Sequence, residues 1–288
     1  MMVDAPLYRP ETLAAALAVR AEHPVRLLAG GTDFFPAAGA RPTRDPVLDI
    51  TAIAGLRGVS EAAEHWRIGA GVTWSELLTT PLPTGFDALK RAASQIGSVQ
   101  IQNTATLVGN VCNASPAADG VPPLLALDAV VEVGSLRGTR SVALADFITG
   151  VRSIDLRPDE LVTAILVPKE AGRGHSGFLK LGSRKYLVIS IACVAIRLDI
   201  NDAGNVRHAR IAVGACSPVA QRLTELERTL TGQTASAGNF ENAVLASSWA
   251  ELSPISDIRA SADYRRHAAR SLVRRGLLST IAKGRLDV

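Results

Sequence analysis

Apolar positions along the chain follow two spacings, one near two residues and one near 3.6, so strands and helices are both expected. Pro10-Glu11-Thr12 opens a helix with Leu13 and Leu17 on its face, and Pro24 stops it. Val25-Arg26-Leu27-Leu28 reads as a short strand running into Ala29-Gly30-Gly31-Thr32-Asp33. Val47-Leu48-Asp49-Ile50 and Trp66-Arg67-Ile68-Gly69 read as further strands. Thr73, with Glu76 three residues on, predicts a capped helix start. Phe86 to Ile96 predicts an amphipathic helix with Leu89, Ala93 and Ile96 on one side. The stretch Gln100 to Asp119 is polar, with apolar residues at loop-like intervals. Pro122-Pro123 starts a short helix. Val130 to Val133, Ser141 to Leu144 and Leu161 to Val167 read as strands, and Ala145 to Ile148 as a helical turn.

The pattern breaks at the glycine-bearing linker Glu170-Ala171-Gly172-Arg173-Gly174, which marks a domain boundary. Longer strands follow at Gly177 to Leu181, Ile189 to Ile200 and Arg207 to Ala215. Asn201-Asp202-Ala203-Gly204 joins the last two as a hairpin loop. Helices are predicted at Leu223 to Leu230, Glu241 to Ala250 and Asp263 to Ala282. Three strands followed by three helices point to a small α+β domain with segregated layers.

Composition narrows the function. The chain has 288 residues, of which 47% are hydrophobic and 20% charged, values of a folded chain with room for more than one domain. Cys112, Cys193 and Cys216 are far apart and form no CxxC pattern, so neither a disulfide framework nor a structural zinc site is expected. Three thiols cannot hold a four-cysteine iron–sulfur cluster. His23, His65, His175, His208 and His267 show no metal-ligand spacing, and no GxSxG or HExxH occurs. The N-terminal MMVDAPLYRPETL lacks the layout of a secretory signal, and no apolar run reaches membrane-spanning length, so a cytoplasmic location is expected. The net charge of +4 owes much to the stretch Arg259 to Arg285, read as the solvated face of a long helix, with an acidic partner or nucleic acid as the alternative.

Two glycine-bearing loops follow apolar strands: Ala29 to Asp33, and Thr106-Leu107-Val108-Gly109-Asn110. Glycine lets backbone N–H groups close on an anion, and successive N–H groups form a phosphate-binding nest. The hydroxyls of Thr32 and Thr106 can add donors. Gly69-Ala70-Gly71 imitates the start of a dinucleotide fingerprint, but Trp74 stands where the third glycine belongs, so it reads as an ordinary strand–turn–helix.

Across its whole length the chain resembles the FAD-binding medium subunits of carbon monoxide dehydrogenase-like molybdenum hydroxylases and the flavin domain of xanthine dehydrogenase. The residues that carry this are Ala29 to Asp33, Ile68-Gly69-Ala70 with Thr73 and Glu76-Leu77, Gln100 to Asp119, Phe178 to Arg184, Tyr264-Arg265-Arg266-His267 and Arg274-Arg275. The resemblance implies an α+β, PCMH-type FAD-binding fold: subdomain 1 over residues 1–57, subdomain 2 over 58–172, both small α/β units, and a C-terminal α+β domain over 173–288. It implies a binding set of Leu27, Leu28, Ala29, Gly30, Gly31, Thr32, Asp33 and Phe34 on one side and Ile101, Thr106, Gly109, Asn110 and Ser115 on the other. Asp119 is implied as a flavin-nucleotide contact, and Lys180 as a cation near the isoalloxazine ring that would favour the anionic reduced flavin. No residue is implied to act on the organic substrate. A small 2Fe–2S subunit with two clusters and a large subunit with a molybdopterin cofactor are the implied partners, and NAD, a quinone or another acceptor takes the electrons.

Two positions depart from the family pattern. Val108 replaces a glycine before Asn110 and tightens the space for backbone approach, and Gln102 replaces an arginine and drops a cationic contact. Between Asp119 and Val130 there is neither insertion nor cysteine, which excludes the variant with an additional cluster. Cys112 falls in the flavin block and reads as a small buried thiol rather than a flavin attachment point. The rival readings are a self-contained FAD-dependent oxidase of the same fold, a scaffold subunit without flavin, and a nucleic-acid binder built on the arginines of the last helix. That helix lacks interleaved aromatics.

Overall fold

The computed structural model describes residues 5–39 and 45–284. The first four residues of the N-terminal reading, Arg285 of the basic stretch and residues 40–44 of subdomain 1 lie outside the described residues.

The first lobe is a three-stranded parallel sheet with Val47–Asp49 between Leu7–Tyr8 and Arg26–Leu28. Helix Leu13–Glu22 makes the crossover, capped by Thr12, whose Oγ1 accepts from Ala15 N–H at 3.2 Å. The chain leaves the edge strand Arg26–Leu28 through Ala29–Asp33 into the short helix Phe34–Ala38.

The second lobe departs from the expected α/β pattern. Its main sheet has five strands, antiparallel throughout, in the order Val59–Glu61, His65–Gly69, Leu161–Pro168, Val130–Ser135, Gly138–Ala143, and Ile148–Gly150 pairs separately with Ser153–Ile154. Leu161–Pro168 takes the centre and is almost wholly buried, which accounts for an apolar run interrupted by Thr163 alone. Short helices fill the long connection from Gly69 to Val130. One of them, Trp74–Thr79, carries the predicted capping box: Thr73 Oγ1 accepts from Glu76 N–H, and the Glu76 carboxylate accepts from Thr73 N–H at 2.7 Å. The predicted helix Phe86 to Ile96 is present as Asp87–Ala93 behind a 3-10 turn at Thr84–Phe86.

The C-terminal sheet is an antiparallel meander of His175–Leu181, Ala192–Ile200 and Val206–Gly214, with a two-residue fourth strand, Gln221–Arg222, added at the edge. The fourth strand was too short to show in the sequence pattern. Three helices, Thr224–Leu230, Ala237–Ala246 and Ala262–Gly284, accompany the sheet, and the first core they build includes Val194, Ile196, Leu198, Phe240 and Leu277. The opposite face of Ala192–Ile200 packs on the second lobe, where Cys193, Ala195 and Phe178 meet Ala88, Ala92 and Ala126. Burying the Phe178 ring contributes roughly 2–3 kcal/mol. The strand is covered on both faces, so its first five residues, Ala192 to Ile196, read as a continuous apolar run rather than an alternation.

Charges seal the same junction. Asp128, at φ +50 just after helix Val121–Ala126, accepts from Arg210 Nε at 2.8 Å, from Arg222 Nη1 at 2.8 Å and from Arg197 Nη2 at 3.3 Å. Arg197 Nε also donates to Ala126 O and Arg222 Nη1 to Leu125 O, so guanidinium groups satisfy the free carbonyls at that helix's end. Burial pushes the Asp128 carboxyl upward, but Arg222 and Arg210 outweigh it and hold the group below the usual carboxylate range.

Candidate functional site

The two N-terminal lobes meet at Gly30. A Cβ there would lie 1.8 Å from Thr104 O and 2.9 Å from Ala105 Cα, so the lobes touch backbone to backbone and only glycine fits. Gly31 turns the chain at φ +74, and its carbonyl accepts from Phe35 N–H at 3.1 Å. Among the described residues, the N–H groups of Gly30, Gly31 and Thr32 have no acceptor within the chain. Unpaired backbone donors at a packed wall cost free energy unless a ligand or water accepts from them.

The facing wall corrects the loop-like reading of Gln100 to Asp119. Val99–Thr104 and Leu107–Cys112 are short helices, capped by Ser98 and Thr106. Thr106 Oγ1 accepts from Gly109 N–H at 2.9 Å, which leaves its own O–H to donate elsewhere. Asn110 turns its Oδ1 away to accept from Gly120 N–H at 3.2 Å, tying the wall to the next turn.

Between the walls lies a cleft of about 490 Å³. Leu27, Ala29, Gly30, Gly31, Thr32, Asp33, Phe34, Ile101, Thr106, Gly109 and Asn110 all line it. Leu28, Ser115, Asp119 and Lys180 do not. Leu28 packs towards the Gly31–Phe35 turn, and Ser115 Oγ accepts from Ala117 N–H in its own turn. A smaller hollow of about 270 Å³ shares Ala29, Gly30, Ile50 and Thr106 with the cleft and adds Thr51, Arg57, Thr73 and Asn103. The sequence reading missed Arg20, Arg26, Asn113, Ile154, Leu156, Leu161 and Val162, which also line the main cleft. Most of them lie on strands and helices behind the loops, Leu156 lies just beyond a strand, and Asn113 belongs to the Gln100 to Asp119 block without having been singled out within it.

Residues 2–170 match the family of FAD binding domains in molybdopterin dehydrogenases, and residues 177–280 match the CO dehydrogenase flavoprotein C-terminal domain. This chain belongs to that flavoprotein family. It is 33% identical over 285 residues to a putative xanthine dehydrogenase FAD-binding subunit of Escherichia coli K12, covering 96% of this chain and 95% of that protein. It is 32% identical to the nicotinate dehydrogenase FAD-subunit of Eubacterium barkeri, over 80% of this chain and 81% of that one. Among solved structures, a carbon monoxide dehydrogenase from Hydrogenophaga pseudoflava superposes with a TM-score of 0.89 at 26% identity, covering 98% and 99% of the two chains. The relatives are subunits of molybdopterin-dependent dehydrogenases, and this chain is an oxidoreductase subunit of that type.

The residues present fit the flavin nucleotide of this family. FAD carries an anionic pyrophosphate between two flat ring systems. The unpaired N–H groups at Gly30 to Thr32 and the Thr106 hydroxyl suit the anion. Leu27, Ile101, Leu156, Leu161 and Val162 offer apolar surface for rings. Val108 lines the cleft from inside a helical turn and needs no positive φ, so the family fold accommodates it. Gln102 is buried and donates from Nε2 to Ile96 O at 2.9 Å; it braces the wall rather than facing the cleft. Cys112 lines the cleft, and burial pushes its thiol up to about 12, which keeps it protonated and a poor nucleophile at neutral pH.

Asp119 and Lys180 are brought together, and neither is among the described residues that line the cleft. Lys180 Nζ donates to Asp119 Oδ2 at 2.5 Å, Ser190 Oγ donates to Asp119 Oδ1 at 2.5 Å, and both charged side chains are buried. The pair joins the flavoprotein family's most distinctive block to the C-terminal sheet. The charge of Lys180 is thus paired with a carboxylate within the chain. Arg265, in the basic run of the last helix, is also structural: it is buried and donates to Ile191 O, Ala215 O and Asp257. On the same helix the half-buried Arg266 pairs with Asp263 and the exposed Arg274 with Glu241. Among the described residues no helix is long and apolar enough to cross a membrane.

Proposed function

We propose that this chain is the electron-transfer subunit of a cytoplasmic molybdenum hydroxylase and holds FAD in the cleft between its two N-terminal lobes. In this reading it accepts electrons from the two 2Fe–2S clusters of a small partner subunit. A large partner subunit removes them from the organic substrate at a molybdenum cofactor. The chain then delivers them to NAD, a quinone or another external acceptor. Bound FAD would supply the exchange between single-electron and paired-electron carriers. The chain's own residues bind and shield. Gly30, Gly31 and Thr32 offer backbone donors, Thr106 offers a hydroxyl, and the apolar walls exclude water from the rings. The three subdomains, residues 1–57, 58–172 and 173–288, divide that work between holding the nucleotide and docking to partners.

The observation that carries this reading is the cleft itself: predicted residues from two distant segments converge on one space, with unpaired amide donors on one wall. A self-contained oxidase would need a base in the cleft, and among its described lining residues the one carboxylate is Asp33, within the donor loop itself. The test is an absorbance spectrum of the purified chain, followed by acid release and identification of the chromophore. FAD near one per chain, with no molybdenum bound by the isolated chain, is the expected result. A colourless chain that takes up no added FAD would sink the proposal. Lys180→Ala separates the two readings of that residue: an unchanged flavin potential with lowered thermal stability fits the compensated pair, and a lowered potential fits a cation acting on the flavin.

A further inference from the structure

We infer that Arg26 is the cation that meets the pyrophosphate of FAD and that Phe34 holds it in position. The inference rests on the reading that the cleft takes FAD. Arg26 opens the edge strand Arg26–Leu28, just before the donor loop, and Phe34 immediately follows that loop. Both side chains line the cleft on the wall that carries Gly30 to Thr32. The guanidinium carbon of Arg26 lies 4.5 Å from the centroid of the Phe34 ring. Such a stack engages the flat face of the guanidinium and directs its N–H edges outward, where bidentate contact with phosphate oxygens is made.

Charge balance singles out the same residue. A pyrophosphate brings two negative charges, while the loop supplies uncharged amides and the anionic Asp33. Among the described residues lining the cleft, the cations are Arg20 and Arg26. Arg20 is engaged as a strap between the lobes, donating from Nη1 to Val25 O at 2.8 Å and from Nε to Glu160 O at 3.2 Å. Its burial also pulls its pKa down from the ordinary arginine value, although Asp159 opposes this. Arg26 stands beside the donor loop, stacked on an aromatic platform. In the sequence it looks like the polar position of a half-buried strand, and only the fold turns it toward the loop.

The test uses the full chain stripped of flavin and titrated with FAD, ADP and riboflavin, in wild type, Arg26→Gln, Arg26→Lys and Phe34→Leu, with melting curves to confirm folding. ADP carries the pyrophosphate without the flavin, and riboflavin carries the flavin without phosphate. Arg26→Gln is expected to weaken FAD and ADP by the same factor, about tenfold to a hundredfold, with riboflavin unmoved. Its FAD affinity is also expected to depend less steeply on salt. Arg26→Lys and Phe34→Leu are expected to fall between, because one keeps the charge without the flat stack and the other keeps the guanidinium without its platform. Equal FAD affinity in wild type and a folded Arg26→Gln would overturn this assignment alone, as would a loss for FAD that ADP does not share. A wild-type chain that takes up no FAD would overturn the FAD reading and this assignment with it.

Discussion

The cleft between the lobes and the junction under the C-terminal sheet are built on opposite principles. At the junction polar groups are matched: Asp128 gathers three arginines, helix-end carbonyls are capped by guanidinium groups, and Lys180 is closed on Asp119. In the cleft wall the amides of Gly30, Gly31 and Thr32 have no partner among the described residues. A matched network gives rigidity and specifies one docking geometry. An unmatched one keeps its hydrogen-bonding capacity for a ligand, at a cost in apo stability. The difference teaches where to look for function: in the place where the fold withholds its own satisfaction.

Four changes sharpen or break that contrast. Gly30→Ala should have the largest effect, because its Cβ would collide with Thr104 O and push the lobes apart. Loss of FAD affinity by about a hundredfold or more is expected, equivalent to roughly 2.8 kcal/mol, read by equilibrium titration of the flavin-free chain. Asp128→Asn keeps the side-chain shape and tolerates positive φ but removes the charge that three arginines share. Breaking this partly exposed network should cost about 2 kcal/mol in urea unfolding, with little change in FAD affinity. If the two variants instead showed the same profile, the cleft and junction would not be separable.

The pH dependence of stability divides the two regions again. Asp128 has a folded pKa held below its unfolded value of about 3.9. Its contribution is therefore present above that value and lost as pH falls through the folded pKa, so acid weakens the junction, and Asp128→Asn should flatten that limb of the curve. Cys112 behaves in the opposite sense. Its folded pKa near 12 lies above the unfolded value of about 8.5. The cleft wall keeps this contribution below the unfolded value and loses it as pH rises towards 12, and Cys112→Ala should shallow that alkaline limb. Cys216, raised to about 11, acts in the same direction from the C-terminal core and remains in the variant. Thr106→Val is expected to have the smallest effect: about 1 kcal/mol of stability from the lost cap, and a loss of FAD affinity of about tenfold or less from the missing donor.

Some of this was legible in the sequence for reasons that stay local. A glycine pair after an apolar strand can only turn sharply, so Ala29 to Asp33 was readable. Thr73 and Glu76 form a box within one helical turn, and Asn201 to Gly204 is a hairpin whose Gly204 takes φ +78. What failed was either too short or too distant. Helices of six residues, such as Val99–Thr104 and Leu107–Cys112, hold less than two turns and show no period. Their caps, Ser98 and Thr106, were the only signal available. The antiparallel order of the second lobe depends on Leu161–Pro168 inserting between strands far earlier in the chain. Asp119 and Lys180 stand in separate motifs, and nothing in their spacing of 61 residues announces that they pair. Arg26 looked ordinary because its meaning comes from Phe34 across the turn.

The first lobe's sheet is built from strands of two or three residues, too little to persist unaided. Its amides are expected to exchange with solvent hydrogen sooner than those of Ala192–Ile200, and together, as one segment. A nucleotide spanning the cleft would fasten that segment to the second lobe and slow the exchange in proportion to its occupancy. The lobe would then register, before any partner docks, whether the subunit has been loaded.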